Sequence, residues 1–556
     1  MVPSFQKPTP PWKKPSISGS APKRLATNAI LKPMLTRRAF IGSTTAAAAL
    51  ATRLFAAPKG QTKPNADLVK LGAVAITEAK KLKATYCDIR IGRYRNQNIL
   101  LRAQPERGTN KTLEVPVVQE DSSFGFGVRV IAQGSWGFAS SPIVTTDEIV
   151  RITGEAVAIA RANSAFQQSP VQLAPVKAYT DYWVAPHDKD PFEVPMPEKI
   201  ELLHSVVTEI KKNQRIFSGN ASLQFRSEDK YFASSDGSSI QQLILQTFGG
   251  AQAGAVDRQK GLSRNRAYQP TQVSAGWEYV PQMNLKENAQ RIREEVLEHL
   301  AAPAVTPGKK DLVLLPSHLM LTIHESVGHP TELDRSLGYE ANYAGTSYIT
   351  PATMGKRIAS DAVTFYGDKN TPKCLATCGY DDDGVKTTKF PIIESGIFKH
   401  FQTTRDQAHL VGEKESRGCS YADSWATVAF QRMPNVWLAP GKPETTLESL
   451  IAGVDDGVLI DGRGSYSIDQ QRYNFQFGGD AFWEIKGGKK RGMVSQVSYQ
   501  ARTPDFWQAC DATAGPAYFQ QFGTSGDAKG EPTQINSMSH GCSPTRFRQI
   551  QVIVTD

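Results

Sequence analysis

The sequence predicts an α+β protein with an α/β N-terminal part, a middle α/β segment and a β-rich C-terminal domain. Three observations lead there. Amphipathic helical stretches and alternating strand-like runs interleave up to about residue 301. From Lys310 onward the chain is rich in short β-type runs punctuated by glycine, with one clear helix near residue 320. No self-similarity at a 20–50 residue period is present, which argues against a solenoid or propeller.

Residues 1–57 read as a leader. They hold nine basic residues and no Asp or Glu, so removing them turns the net charge of +10 into 55 basic against 54 acidic side chains. The remainder has no electrostatic case for nucleic acid. Arg37-Arg38-Ala39-Phe40, followed by the Ala-rich run Ser43–Ala57, fits a twin-arginine export signal with cleavage near Ala56 or Ala57. The expected location is periplasmic. The run is too short, and too interrupted by Arg53, to be a stable membrane span.

Residues 66–165 form the first unit. Leu68, Leu71, Val74 and Ile76 have helical spacing over 66–84, and Tyr86–Ile91 reads as a strand that Arg93–Leu101 continues or pairs with. Ser123–Ile131 alternates as a strand, Gln133-Gly134 turns the chain, and Asp147–Asn163 is helical. A Pro-rich stretch leads to the middle unit, 175–301. Its elements are a helix at Pro197–Asn213, strands at Ile216–Phe225, Tyr231–Ser235 and Ile240–Phe248, and a helix at Glu287–Ala301. The third unit spans 308–556. Its strand candidates are Asp311–Leu315, Ala362–Tyr366, Phe390–Glu394, Val436–Leu438, Val458–Ile460, Ala481–Lys486 and Phe547–Thr555.

The chemistry concentrates in His324-Glu325-Ser326-Val327-Gly328-His329. Neutral imidazoles suit zinc, and a neighbouring glutamate can take a proton from water. The His-Glu-x-x-His motif of zinc peptidases is one residue shorter and puts both ligands on one helix face. Five residues apart on a regular α-helix, His324 and His329 would diverge by about 140°. Two devices close the gap. Ser317 could cap a helix through Val327, with Gly328 and Pro330 turning His329 toward extended backbone, or a π-bulge could widen the turn. Two structural histidines flanking a glutamate are the alternative. Six scattered cysteines, including Cys374-x-x-x-Cys378, define no metal framework.

The order of motifs resembles the TldD/PmbA family of metallopeptidases over nearly all the chain after the leader. The resemblance rests on Tyr86–Arg90, Phe126–Arg129 with Gly134–Ala139, the His324–His329 motif, and Ala344–Ser347. It continues through Asp381-Asp382-Asp383-Gly384-Val385, Glu394–Ile397, Thr404-Arg405-Asp406 and Arg432-Met433-Pro434-Asn435. It implies a TldD/PmbA-like fold, a zinc site, and action on extended peptides or unfolded protein. It also implies assembly as a homodimer or as a heterodimer with a metal-free paralogue. The family's third ligand is typically a cysteine near the C-terminus, but Gly523–Pro532 contains none. Asp527 stands first as the replacement and Ser525 is a poor donor; Cys542 and Glu332 are the alternatives, and His540 is a further nearby donor. Aspartate would give a harder site than thiolate.

The expected function is zinc-dependent hydrolysis of peptides, with His324, His329 and Asp527 as ligands and Glu325 as general base. The alternatives are an inactive exported peptide-binding subunit and an amide hydrolase acting on cell-wall peptides. Gly462–Tyr466 and Asn474–Gly479 are candidate substrate-lining segments, or else ordinary turns and core strands.

Overall fold

The computed structural model describes residues 47–55, 61–106 and 112–555. The paired arginines and the expected cleavage point lie outside the described residues. The described part of the Ala-rich run is a helix, α1 (47–55), whose Leu54 and Phe55 are buried. Phe55 meets Phe124 edge-on at 6.3 Å, and Arg53 pairs with Asp67 at 3.0 Å. Among the described residues no helix is long and apolar enough to cross a membrane.

The N-terminal half is built on one sheet. After α2 (Ala66–Lys81) come three strands, β1 (Tyr86–Pro105), β2 (Thr112–Ala132) and β3 (Ser135–Ser141), and then α3 (Thr146–Asn163). The chain continues with β4 (Thr180–Val184), α4 (Met196–Ile210), β5 (Ile216–Ser234), β6 (Ser239–Asp257), β7 (Leu262–Tyr268) and α5 (Leu285–Ala301). The strand order is β3-β2-β1-β5-β6-β4, with β7 on β6. Segments 66–165 and 175–301 therefore feed a single sheet, joined where β1 pairs with β5 from Asp88 to Ala103. Each keeps its own apolar core: α2 and α3 cover one stretch, α4 and α5 another. Arg93–Leu101 continues the first strand rather than pairing with it. Residues 112–122, mostly polar and exposed, extend β2 well before Ser123.

The C-terminal half holds a nine-stranded sheet containing β8 (Gly308–Leu314) and a six-stranded sheet. One apolar core contains residues of both, such as Leu312 and Phe547 from the first and Phe365 and Met538 from the second. Between them lies α6 (Pro316–Ile323), whose Leu319 and Ile323 are fully buried in that core. Each such side chain contributes about 2 kcal/mol on burial, so the start of the motif is rigidly held. The outer strands of the six-stranded sheet, Gln534–Cys542 and then Gln520–Lys529, form a hairpin beside α6. Short helices at Leu333–Ser336, Leu447–Ala452 and Thr503–Gln508 accompany α6, against the expectation of a single helix.

Candidate metal centre

The α-helix ends at Ile323, and residues His324–Gly328 continue it as one π turn. The His329 N–H donates to the His324 carbonyl, an i→i+5 bond that widens the turn and brings residues five apart onto one side. The two imidazole centroids are 4.5 Å apart. His329 stays helical, at φ −63° and ψ −45°, so Pro330 does not push it into extended backbone. Pro330 brings no donor, the helical bonding ends here, and the terminal carbonyls find side chains instead. Gln402 Nε2 donates to Gly328 O at 2.6 Å, and Thr331 Oγ1 to Val327 O at 2.7 Å. Ser317 is not the N-cap; that position is Leu315. The Ser317 hydroxyl instead donates to Asp461 and accepts the Gly462 N–H at 3.1 Å.

Asp527 arrives from the strand Gln520–Lys529. The hairpin register shifts between Thr524 and Asp527, a bulge that re-aims the side chain. Its Oδ1 lies 3.5 Å from His324 Nε2 and 3.4 Å from His329 Nε2. Both are too long for a good hydrogen bond. They match the spacing of about 3.3 Å between donors sharing one tetrahedral zinc at 2.0–2.1 Å. Among the described residues, His324, His329 and Asp527 are the group that could hold a metal ion, and all three are buried.

Every atom of this trio that faces away from the common point has a partner. His329 Nδ1 is 2.9 Å from Glu332 Oε2, and an ionised carboxylate can only accept, so the proton sits on Nδ1 and Nε2 keeps its lone pair. Arg335 stands beside them, its Nε donating to Glu332 Oε2 at 3.0 Å. His324 Nδ1 is 2.9 Å from His540 Nε2. Arg432 Nη2 donates to Asp527 Oδ2 at 3.0 Å and to its carbonyl at 2.6 Å. Such outer contacts fix tautomers and aim lone pairs.

Burial alone would raise the Asp527 carboxyl, but positive charge at the His329 and His324 rings, as when they are protonated, outweighs it and holds the group well below the usual carboxylate range. Burial, reinforced by His324 and His329, keeps His540 neutral far below its ordinary value, so its Nε2 can accept from His324. Burial also opposes ionisation of Glu332, yet Lys529, His329 and Arg335 together pull it down. Glu332 thus supports His329 rather than joining the donor cluster. Cys542 is buried in the apolar core, where burial raises its thiol, and it lies outside the cluster.

Glu325 projects into a cavity of about 240 Å³ that His324, His329, Asp527, Arg463, Tyr466 and Arg472 also line. Arg472 Nη1 donates to Glu325 Oε2 at 2.5 Å, from a turn where Arg472 has φ +61°. Of the candidate lining segments, Gly462–Tyr466 reaches this cavity. Phe475 and Phe477 of Asn474–Gly479 are core residues. Sequence reasoning missed the roles of Arg432 and Arg472. Arg432 was visible only as part of the Arg432–Asn435 motif, and nothing near Arg472 in the chain signals the cavity.

A β-rich domain presenting two imidazoles and a carboxylate beside a glutamate held by an arginine is the architecture of a metallopeptidase family. Residues 307–553 match the model of the PmbA/TldA metallopeptidase C-terminal domain, and residues 113–160 match domain 1 of the same family. The chain belongs to the PmbA/TldD family. It is 26% identical over 416 residues to a metalloprotease of Methanothermobacter thermautotrophicus, covering 75% of this chain and 85% of that protein. It is 23% identical to a zinc metalloprotease TldD homolog of Saccharolobus solfataricus, covering 69% of this chain and 79% of that protein. The crystal structure of TldE from Thermococcus kodakarensis shares its fold, with a TM-score of 0.66 at 16% identity over 88% of this chain and all of that one.

Proposed function

We propose that this protein is a zinc-dependent peptidase acting on extended or unfolded peptides, with His324, His329 and Asp527 as metal ligands and Glu325 as general base. The observation that carries the reading is the convergence of three donor atoms at zinc spacing, their outward atoms all engaged, beside a carboxylate that opens into a cavity. When bound, the cation supplies Lewis acidity to a water and to the scissile carbonyl. Glu325 takes the proton from the attacking water and returns it to the leaving amine. Arg472 holds that carboxylate in its orientation. The strand carrying Asp527 is the outermost of its sheet, so an extended peptide can be held beside the site by strand addition. The metalloprotease names of the relatives point the same way.

The engagement of Glu325 by Arg472 favours a second reading, a peptide-binding subunit that performs no chemistry. Zinc content by plasma emission, with peptide cleavage measured with and without chelator, separates the two. The peptidase holds one zinc per chain, and Glu325→Gln keeps it while losing about 10²–10⁴ in kcat. Wild-type turnover by Glu325→Gln sinks the base assignment. Export by the twin-arginine route, and pairing with a second copy or a metal-free paralogue, belong to the same proposal.

A further inference from the structure

The metal pocket adjoins a larger cleft of about 630 Å³, and Arg463 lines both. The cleft's other charges are already paired. Arg266, almost fully buried, binds Glu295, Asp461 and Asp480, and Arg291 binds Glu295 at 2.9 Å. In the metal pocket, Arg472 is taken by Glu325, and Asp527 by Arg432 and the imidazoles. Arg463 differs. It is exposed, and among the described residues it has no carboxylate partner; the Tyr466 ring lies 5.8 Å from its guanidinium carbon.

The base of Arg463 is nevertheless fixed. The preceding Gly462 has φ +73°, its carbonyl accepts from His318 Nδ1 at 2.9 Å, and its N–H is held by Ser317. Both holding residues sit on α6, the helix that leads into the metal motif. An unpaired guanidinium on an anchored backbone at the junction of two cavities suits a carboxylate, because its donor fork matches that group bidentately. The exposed Tyr466 ring beside it offers an apolar wall for the neighbouring residue.

We infer that Arg463 is a specificity-determining residue. It takes a carboxylate of an extended peptide, supplied by an acidic side chain or by the C-terminus, as the peptide passes between the cleft and the metal pocket. The inference rests on the peptide-hydrolase reading for its substrate class, and its test can be read separately.

The probes are unstructured decapeptides differing only by Glu or Gln near the centre, and by a free or amidated C-terminus. Wild type, Arg463→Gln and Arg463→Lys are compared as full chains. One readout is the acidic-to-neutral ratio of kcat/KM on the zinc-loaded protein. The other is anisotropy of the labelled peptides on chelator-treated protein, which reads binding without turnover. Wild type should favour the carboxylate-bearing peptide about tenfold. Arg463→Gln should bring that ratio close to one, and Arg463→Lys should keep part of it. The pair that shows the preference identifies its source, side chain or terminus. A preference in binding that Arg463→Gln removes, with no peptide cleaved, supports the receptor and sinks the peptidase reading. Equal binding of all peptides by wild type, or a preference that survives Arg463→Gln, overturns the receptor.

Discussion

Arg432 donates to Asp527 Oδ2 at 3.0 Å and so leaves only Oδ1 to face the two imidazoles. Arg432 is fully buried and also donates to the Gln534 carbonyl at 2.9 Å, which ties it to the turn end of the same hairpin. A carboxylate held this way would offer a cation one oxygen, not two. Arg432→Gln should weaken zinc binding about 10- to 100-fold, measured by competition with a fluorescent chelator. Wild-type affinity in that variant would show that Asp527 needs no such clamp.

Gly328 is required for space rather than for backbone freedom. A Cβ there would lie 2.5 Å from Met433 Sδ and 2.7 Å from Cε, and Met433 is fully buried. Gly328→Ala should cost about 1–3 kcal/mol through overpacking, seen as a lower melting temperature, and should weaken zinc binding by displacing His329. Shortening the partner should relieve it, so Gly328→Ala with Met433→Ala should lose less than the two single losses combined. Strict additivity would mean the two residues do not press on each other.

The helix and the histidine pair were legible because apolar spacing and residue chemistry are local. The π turn was only one of two readings, since the choice depends on Gln402 and Thr331 catching terminal carbonyls from elsewhere in the chain. The strands Gln520–Lys529 and Gln534–Cys542 escaped notice altogether. Gly523, Thr524, Ser525, Gly526 and Asp527 carry no apolar alternation, because this strand lines a site instead of covering a core. The Arg432–Asn435 motif shows the same limit. Its residues separately reach Asp527, Gly328 and the Ser539 N–H, and only the folded chain gives them those meanings.

His318 makes stability depend on pH. It is fully buried on α6, with Nδ1 donating to Gly462 O and Nε2 accepting from the Tyr499 hydroxyl at 2.9 Å. Burial pushes its pKa down to about 4. Between that value and the ordinary 6.5, the unfolded chain binds a proton that the folded chain refuses, so stability falls as the pH drops through this window. The loss from this one group is about 2 kcal/mol at pH 5. Thermal melts from pH 7.5 to 4.5 should show it, and His318→Asn, though less stable at pH 7, should have a shallower slope. An unchanged slope would place the acid sensitivity in other groups.

The Asp381-Asp382-Asp383 run performs no chemistry in this reading; it joins the N-terminal sheet to the C-terminal domain. Asp383 pairs with Arg129 at 2.6 Å, Arg129 pairs with Asp88 at 2.8 Å, and Asp382 pairs with Lys230 at 3.0 Å, all buried. Asp381 accepts the backbone N–H groups of Asp383, Val385 and Ser420, which shapes the loop that presents the other two. Removing Asp383 leaves the buried Arg129 with Asp88 as its one remaining carboxylate, which costs about 3 kcal/mol, the low end for breaking a buried pair. Asp383→Ala should therefore lower the melting temperature and expose the junction to proteolysis near Arg129. Replacing all three members with apolar groups, Asp383→Leu, Arg129→Met and Asp88→Leu, should recover part of the loss, because no member of the triad then keeps a buried charge without its partner. If the triple variant is less stable than Asp383→Ala alone, the triad contributes net attraction beyond its desolvation, and the junction depends on charge rather than on packing.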